Sequence, residues 1–281
     1  MSRRFRLVDV FGESQLTGNG LAVVVDSDGL ETGEMLELTR WFGFSETTFL
    51  SEPETQDADY RVRIFTLAGE LTFAGHPTLG TCHVWLSETG SDSSEVIQEC
   101  GAGLVPVRRN DDTLSFRAPE LIRSGPVSGA DLADFAAILR IDPSDVVDSA
   151  WVDNGPGWVG IMLGDAEAVL ALSPDFAVSD RDPIDIGVVG LHPEGSSIAY
   201  EVRAFFSDQN GDMREDPVTG SLNASLAQWL VEAGVVQPPY LAAQGTALGR
   251  SGRVLITEAL GEIWVGGRVF DVVTGELSRQ L

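Results

Sequence analysis

The chain has 281 residues, 43% of them hydrophobic, and its 43 acidic residues against 18 basic ones give a formal charge of −25. That imbalance excludes nucleic acid and anionic membrane as partners, because both reward clustered positive charge. Every basic residue is arginine, so chemistry that needs a lysine, such as a P-loop or a pyridoxal Schiff base, is excluded too.

No apolar run approaches the roughly 18–20 residues that span a bilayer. The opening "MSRRFRLVDVFG" has no apolar signal region, and a cytoplasmic location is expected. Cys82 and Cys100 form no zinc-binding pattern and are expected to be free thiols in a reducing compartment.

In chain order, the first feature is "GNGLAVVV" at 18–25, an Asn-Gly turn running into an apolar strand. It lacks the third glycine of a dinucleotide fingerprint, and no strand–helix–strand frame surrounds it. An amphipathic helix follows, with Met35, Leu38, Trp41 and Phe42 on its apolar face. Glu46, in "GFSETTFL", stands at the junction with the next strand. The strand "YRVRIF" at 60–65 leads to "GHPTLGTCHVWL" at 75–86, a helix whose first turn contains Gly75, His76 and Pro77. Gly75 lets the backbone approach a ligand, and Pro77 starts a helix without wasting an N–H. His83 follows on the same helix, too far along to share a metal with His76.

The pattern then recurs. "DNGPGWVGIML" at 153–163 repeats the Asn-Gly and apolar run, "YEVRAF" at 200–205 repeats Tyr-x-Val-Arg-x-Phe, and "TGSLNASLAQWL" at 219–230 repeats the helix ending in Trp-Leu. Before the second helix stand Glu215 and Asp216 in "MREDPVTGS"; the third histidine, His192, falls in a loop. These features, with a further Gly-rich turn and strand-like sequence after each helix, recur in the same order and indicate two homologous lobes, 1–125 and 126–281, with the last strand a candidate to cross back to the first. The expected linker is "APELIRSGPVSGADL", rich in proline, glycine and serine. Each lobe is expected to mix strands with one prominent helix, giving an α/β (α+β) fold. The helix starts at Gly75 and Gly220–Ser221 offer unpaired N–H groups suited to a small carboxylate ligand.

Together "TGNGLAVVV", "GFSETTFL", "AGHPTLGT" and "EDPVTGS", with the C-terminal "IWVGGRV", resemble the signatures of the PhzF-like family, named for the phenazine biosynthesis isomerase. The resemblance implies a diaminopimelate epimerase-like fold of two pseudo-symmetric lobes, each a mixed sheet wrapped around a central helix, with the active site in the cleft between them. It implies isomerase or epimerase activity without cofactor or metal, moving a proton on a small, dihydro-hydroxyanthranilate-like carboxylate, and a homodimeric assembly. By the same resemblance Glu46 is the acid/base, His76 and Asp216 assist proton movement and orientation, and Asn19, Gly75, Gly220 and Ser221 hold the substrate. A ligand sensor using the same cleft without catalysis is the alternative. The chain has "GNG" where many members have Gly-Asn-Pro, and Gly20 is expected to loosen that turn.

Overall fold

The computed structural model describes residues 2–175, 185–207 and 213–278. The chain divides into two compact units, Met1–Arg117 with Gly266–Leu281, and Ala118–Val265.

In the first unit eight strands precede the switch: β1 (Arg3–Val10), β2 (Asn19–Val24), β3 (Glu46–Ser51), β4 (Tyr60–Thr66), β5 (Glu70–Leu71), β6 (Glu95–Cys100), β7 (Gly103–Asn110) and β8 (Thr113–Arg117). Helix α1 (Thr32–Phe42) links β2 to β3, and α2 (Gly75–Thr89) follows β5. Antiparallel pairing joins β1 to β2, β3 to β4, β4 to β5, β6 to β7 and β7 to β8, while β2–β3 and β4–β6 run parallel. The final strand of the chain pairs with both β8 and β1 and closes the ring. Closure removes the open edges that invite aggregation.

Helix α2 packs against β1, β2, β3, β4, β6, β7 and β8. Its first eight residues, Gly75 to Cys82, are all buried, as befits a helix surrounded by strands rather than one lying on a surface. Small residues make this possible: a Cβ on Gly80 would come within 2.5 Å of Leu21. Helix α1 behaves differently. It buries Met35 and Leu38, but Trp41, assigned above to the apolar face, is 77% exposed.

The second unit contains β9 (Arg123–Pro126), α3 (Gly129–Leu139), β10 (Val146–Asp153), β11 (Trp158–Leu163), α4 (Ala166–Ala171), β12 (Asp185–Leu191), β13 (Tyr200–Ser207), β14 (Met213–Asp216), α5 (Gly220–Glu232), β15 (Tyr240–Gln244) and β16 (Gly252–Ala259). The last strand, β17 (Glu262–Leu277), begins here and ends in the first unit. The segment expected to be a linker is therefore structured. Its Arg123–Pro126 pairs antiparallel with β10, and Ser128 caps α3 by accepting a hydrogen bond from the Asp131 N–H.

The duplication extends to the strand pairings. From β10 to β16 the sequence of partners is antiparallel (β10–β11), parallel (β11–β12), antiparallel (β12–β13, β13–β14), parallel (β13–β15) and antiparallel (β15–β16). This repeats the order from β1 to β7. It carries individual residues with it. Arg63 pairs with Glu70 and lies 5.1 Å over the Phe65 ring; Arg203 pairs with Glu215 and lies 4.9 Å over the Phe205 ring.

Candidate active site

Glu46 is the first residue of β3, and β3 alternates its side chains so that Thr48 meets α2, where it is hydrogen-bonded to Thr81 at 2.8 Å. Glu46 shares that face. Its Oε2 lies 3.4 Å from His76 Nε2, and the two side chains are only 17% and 6% exposed. Burial pushes the Glu46 carboxyl up to about 7, against a smaller opposing hydrogen bond from Ser45. A carboxyl poised there takes and returns a proton near neutral pH with little penalty either way.

His76 is held by the start of α2. Gly75 is the first helical residue, and no side chain caps the end at Ala74. The first turn is braced from below by Gln98, whose amide donates to Thr78 Oγ1 at 3.0 Å and accepts from the Tyr60 hydroxyl at 3.0 Å. Asn19 opens β2 and is 3% exposed. The loop leading to it is clamped by Asp9, whose carboxylate accepts the N–H groups of Thr17 and Gly18.

Gly20 has a physical reason. A Cβ there would lie 2.8 Å from the Phe44 ring. The glycine thus makes room for an aromatic ring two residues before Glu46, instead of merely loosening the turn as expected.

Asp216, Gly220 and Ser221 belong to the second unit. Asp216 Oδ2 accepts the Thr219 hydroxyl at 2.5 Å. Fully buried Gln244 locks this corner: its Oε1 accepts from the Thr219 N–H (3.0 Å) and the Asn223 amide (2.7 Å), while its Nε2 donates to the Asp216 carbonyl and Thr219 Oγ1. Gly220 begins α5. Ser221 Oγ accepts the Trp158 indole N–H at 3.0 Å, and its carbonyl accepts the Asn154 amide at 2.9 Å. Glu215, next to Asp216, is committed to Arg203.

Other candidates have structural partners. His83 Nε2 lies 3.1 Å from Asp271, and His192 Nε2 lies 3.3 Å from Glu201. Cys82 and Cys100 are free, and burial pushes the Cys82 thiol up to about 12, where it is inert as a nucleophile. Among the described residues no group of three or more His, Cys, Asp or Glu is placed to hold a metal ion. No described helix is long and apolar enough to cross a membrane.

Sequence reasoning missed Gln244, Gln98 and Trp158. Each acts through contacts with residues far away in sequence, which no local pattern announces.

Comparison with known proteins agrees with this architecture. Residues 8–267 match the PhzC-PhzF family, described as phenazine biosynthesis-like protein. The trans-2,3-dihydro-3-hydroxyanthranilate isomerase of Pseudomonas aeruginosa is 32% identical over 259 residues, covering 89% of this chain and 88% of that protein. Antisense-enhancing sequence 1 of Schizosaccharomyces pombe is 32% identical over 295 residues, with 97% of each chain covered. The solved structure of a PhzF-family phenazine biosynthesis protein from Enterococcus faecalis superimposes with a TM-score of 0.81 at 24% identity, covering 99% of this chain and 100% of that one. The chain belongs to the PhzC-PhzF family and has its epimerase-like fold. It is an isomerase.

Proposed function

We propose that the chain moves a proton on a small carboxylate substrate resembling dihydro-hydroxyanthranilate, by carboxylate acid/base catalysis. Glu46 is the group that removes and returns the proton. His76, whose Nε2 lies 3.4 Å from Glu46 Oε2 at a helix start, orients the substrate and supports the transfer. Asp216 assists, and the N–H groups at Gly75 and at Gly220–Ser221, with Asn19, hold the substrate's polar groups.

The observation that carries this reading is the Glu46–His76 pair: a buried carboxyl pushed up to about 7 with an imidazole nitrogen 3.4 Å away. A carboxylate with an ordinary acidity is too weak a base to take a proton from carbon efficiently, and raising it toward neutrality strengthens it without keeping it protonated. The relatives named as isomerases of a dihydro-hydroxyanthranilate supply the substrate class.

The test is proton NMR in D2O with a panel of small cyclic carboxylates that includes trans-2,3-dihydro-3-hydroxyanthranilate. Deuterium entering one substrate carbon supports the reading. Tight binding of a panel member with no exchange at any carbon contradicts it and describes a sensor.

A further inference from the structure

The internal duplication places a second carboxyl where Glu46 stands. In the first unit Thr47 pairs with Ala22 on one side and Phe65 on the other. In the second unit Ile186 pairs with Val159 and Phe205. Phe65 and Phe205 close the repeated Tyr-x-Val-Arg-x-Phe, so Thr47 and Ile186 are equivalent. The residue before each opens its strand: Glu46 in β3 and Asp185 in β12. The same register makes Asp9 equivalent to Asp153, and both clamp their loops through backbone N–H groups. Asp153 Oδ1 accepts those of Gly155 and Gly157, each at 2.7 Å.

The faces agree as well. Gly187, two residues after Asp185, lies so close to α5 that a Cβ would come within 2.3 Å of Leu222. Alternation along the strand puts Asp185 on that same face, as Glu46 shares the α2 face with Thr48. Directly across from Asp185 in the parallel register is Trp158, whose indole N–H is given to Ser221 Oγ. Having accepted that bond, the Ser221 hydroxyl has its own proton to give. The start of α5 therefore presents donors to a ligand acceptor.

We infer that Asp185 is the functional carboxyl of the second unit, acting in its neutral form as a hydrogen-bond donor to an acceptor oxygen of the substrate held at the start of α5. This rests on the isomerase reading above. The surroundings of Asp185 favour the role. Burial and the neighbouring Asp153 carboxylate push it up to about 7, against one backbone N–H donated by Ser207. An anion arriving at that place would favour the protonated form further, because like charges disfavour ionisation. Glu46 is then needed ionised and Asp185 protonated, two carboxyls with opposite requirements.

The experiment is the pH dependence of kcat/KM for solvent-deuterium incorporation into trans-2,3-dihydro-3-hydroxyanthranilate. A rising limb from Glu46 and a falling limb from Asp185, both near 7, give a bell. Asp185→Asn keeps a donor that does not titrate, so it is expected to retain the rising limb and lose the falling one. Asp185→Val, lacking any donor, is expected to raise KM by roughly tenfold or more with kcat changed far less. A falling limb unchanged in Asp185→Asn overturns the proposal. Infrared titration of the protonated-carboxyl band supplies a readout without turnover. In Glu46→Gln a band titrating near 7 is expected to persist and to vanish in Glu46→Gln/Asp185→Asn; a band indifferent to Asp185→Asn, or no such band, overturns the proposal. Tight binding of trans-2,3-dihydro-3-hydroxyanthranilate by the wild type without exchange would defeat the proton-transfer reading proposed above, and the infrared result would still decide the state of Asp185.

Discussion

Glu46 Oε2 and His76 Nε2 lie 3.4 Å apart although they come from the first residue of a strand and the second residue of a helix. The arrangement carries a stability penalty that depends on pH. The folded-state carboxyl, at about 7, lies above the model-peptide range, so between roughly 4.5 and 7 the native state binds more protons than the unfolded chain. Its contribution is complete below the unfolded value and is lost as pH rises through 7. Glu46→Gln removes the penalty. The variant is expected to gain stability over the wild type, by about 3 kcal/mol, as pH is raised from 4 to 8. Denaturant unfolding at the two pH values checks this; a constant difference would show that Glu46 ionises normally.

His76 is buried by the helix start that holds it, and substitution separates its chemistry from its packing. His76→Ala is expected to lower kcat/KM by about 10²-fold, the lower end of what a positioned acid/base group contributes. His76→Asn, which keeps one donor, is expected to recover part of the KM effect but not of kcat. Equal kinetics in all three proteins would return His76 to a packing role.

The repeated Arg–Glu pair offers a comparison inside one molecule. Arg203 and Glu215 have side chains 8% and 9% exposed, whereas Arg63 and Glu70 are 23% and 39% exposed. Arg203 also donates to the Leu172 carbonyl at 2.7 Å. Removing one partner of a buried pair strands a charge, so Arg203→Met is expected to destabilise by about 3–5 kcal/mol. Arg63→Met is expected to lose less than about 1 kcal/mol. Chemical denaturation of both variants tests the contrast, and similar losses would refute it.

Gly20→Ala tests whether the turn at Asn19 and the ring before Glu46 are coupled. A methyl 2.8 Å from Phe44 must displace the ring or the strand. A loss of about 1–3 kcal/mol is expected from such overpacking, together with reduced turnover. Unchanged stability and turnover would mean that the Phe44 ring yields freely.

Much of this was readable in advance, and the reasons are physical. Tyr-x-Val-Arg-x-Phe exposes the duplication because strand alternation sends Tyr and Val to one face and Arg and Phe to the other in both units. His76 was legible because glycine and proline on either side mark a helix start. Trp41 misled because helical spacing gives a face but not its extent; the stripe that α1 buries is narrower than its apolar sequence. The segment 118–132 begins where the second unit begins, and its proline and glycine also suit a short strand at an edge and the approach to a helix cap. Gln244 and Asp185 were invisible for a different reason. Gln244 matters through hydrogen bonds to the corner before α5 and Asp185 through strand register, and composition carries no record of which residue faces which.

The most direct test of the central claim compares wild type with Glu46→Gln in D2O, using trans-2,3-dihydro-3-hydroxyanthranilate and following deuterium at each carbon by NMR. The account predicts exchange by the wild type and a loss of at least about 10³-fold in the variant, within the range set by removing a general acid/base, with substrate binding retained. Exchange by Glu46→Gln at the wild-type rate would show that another group moves the proton.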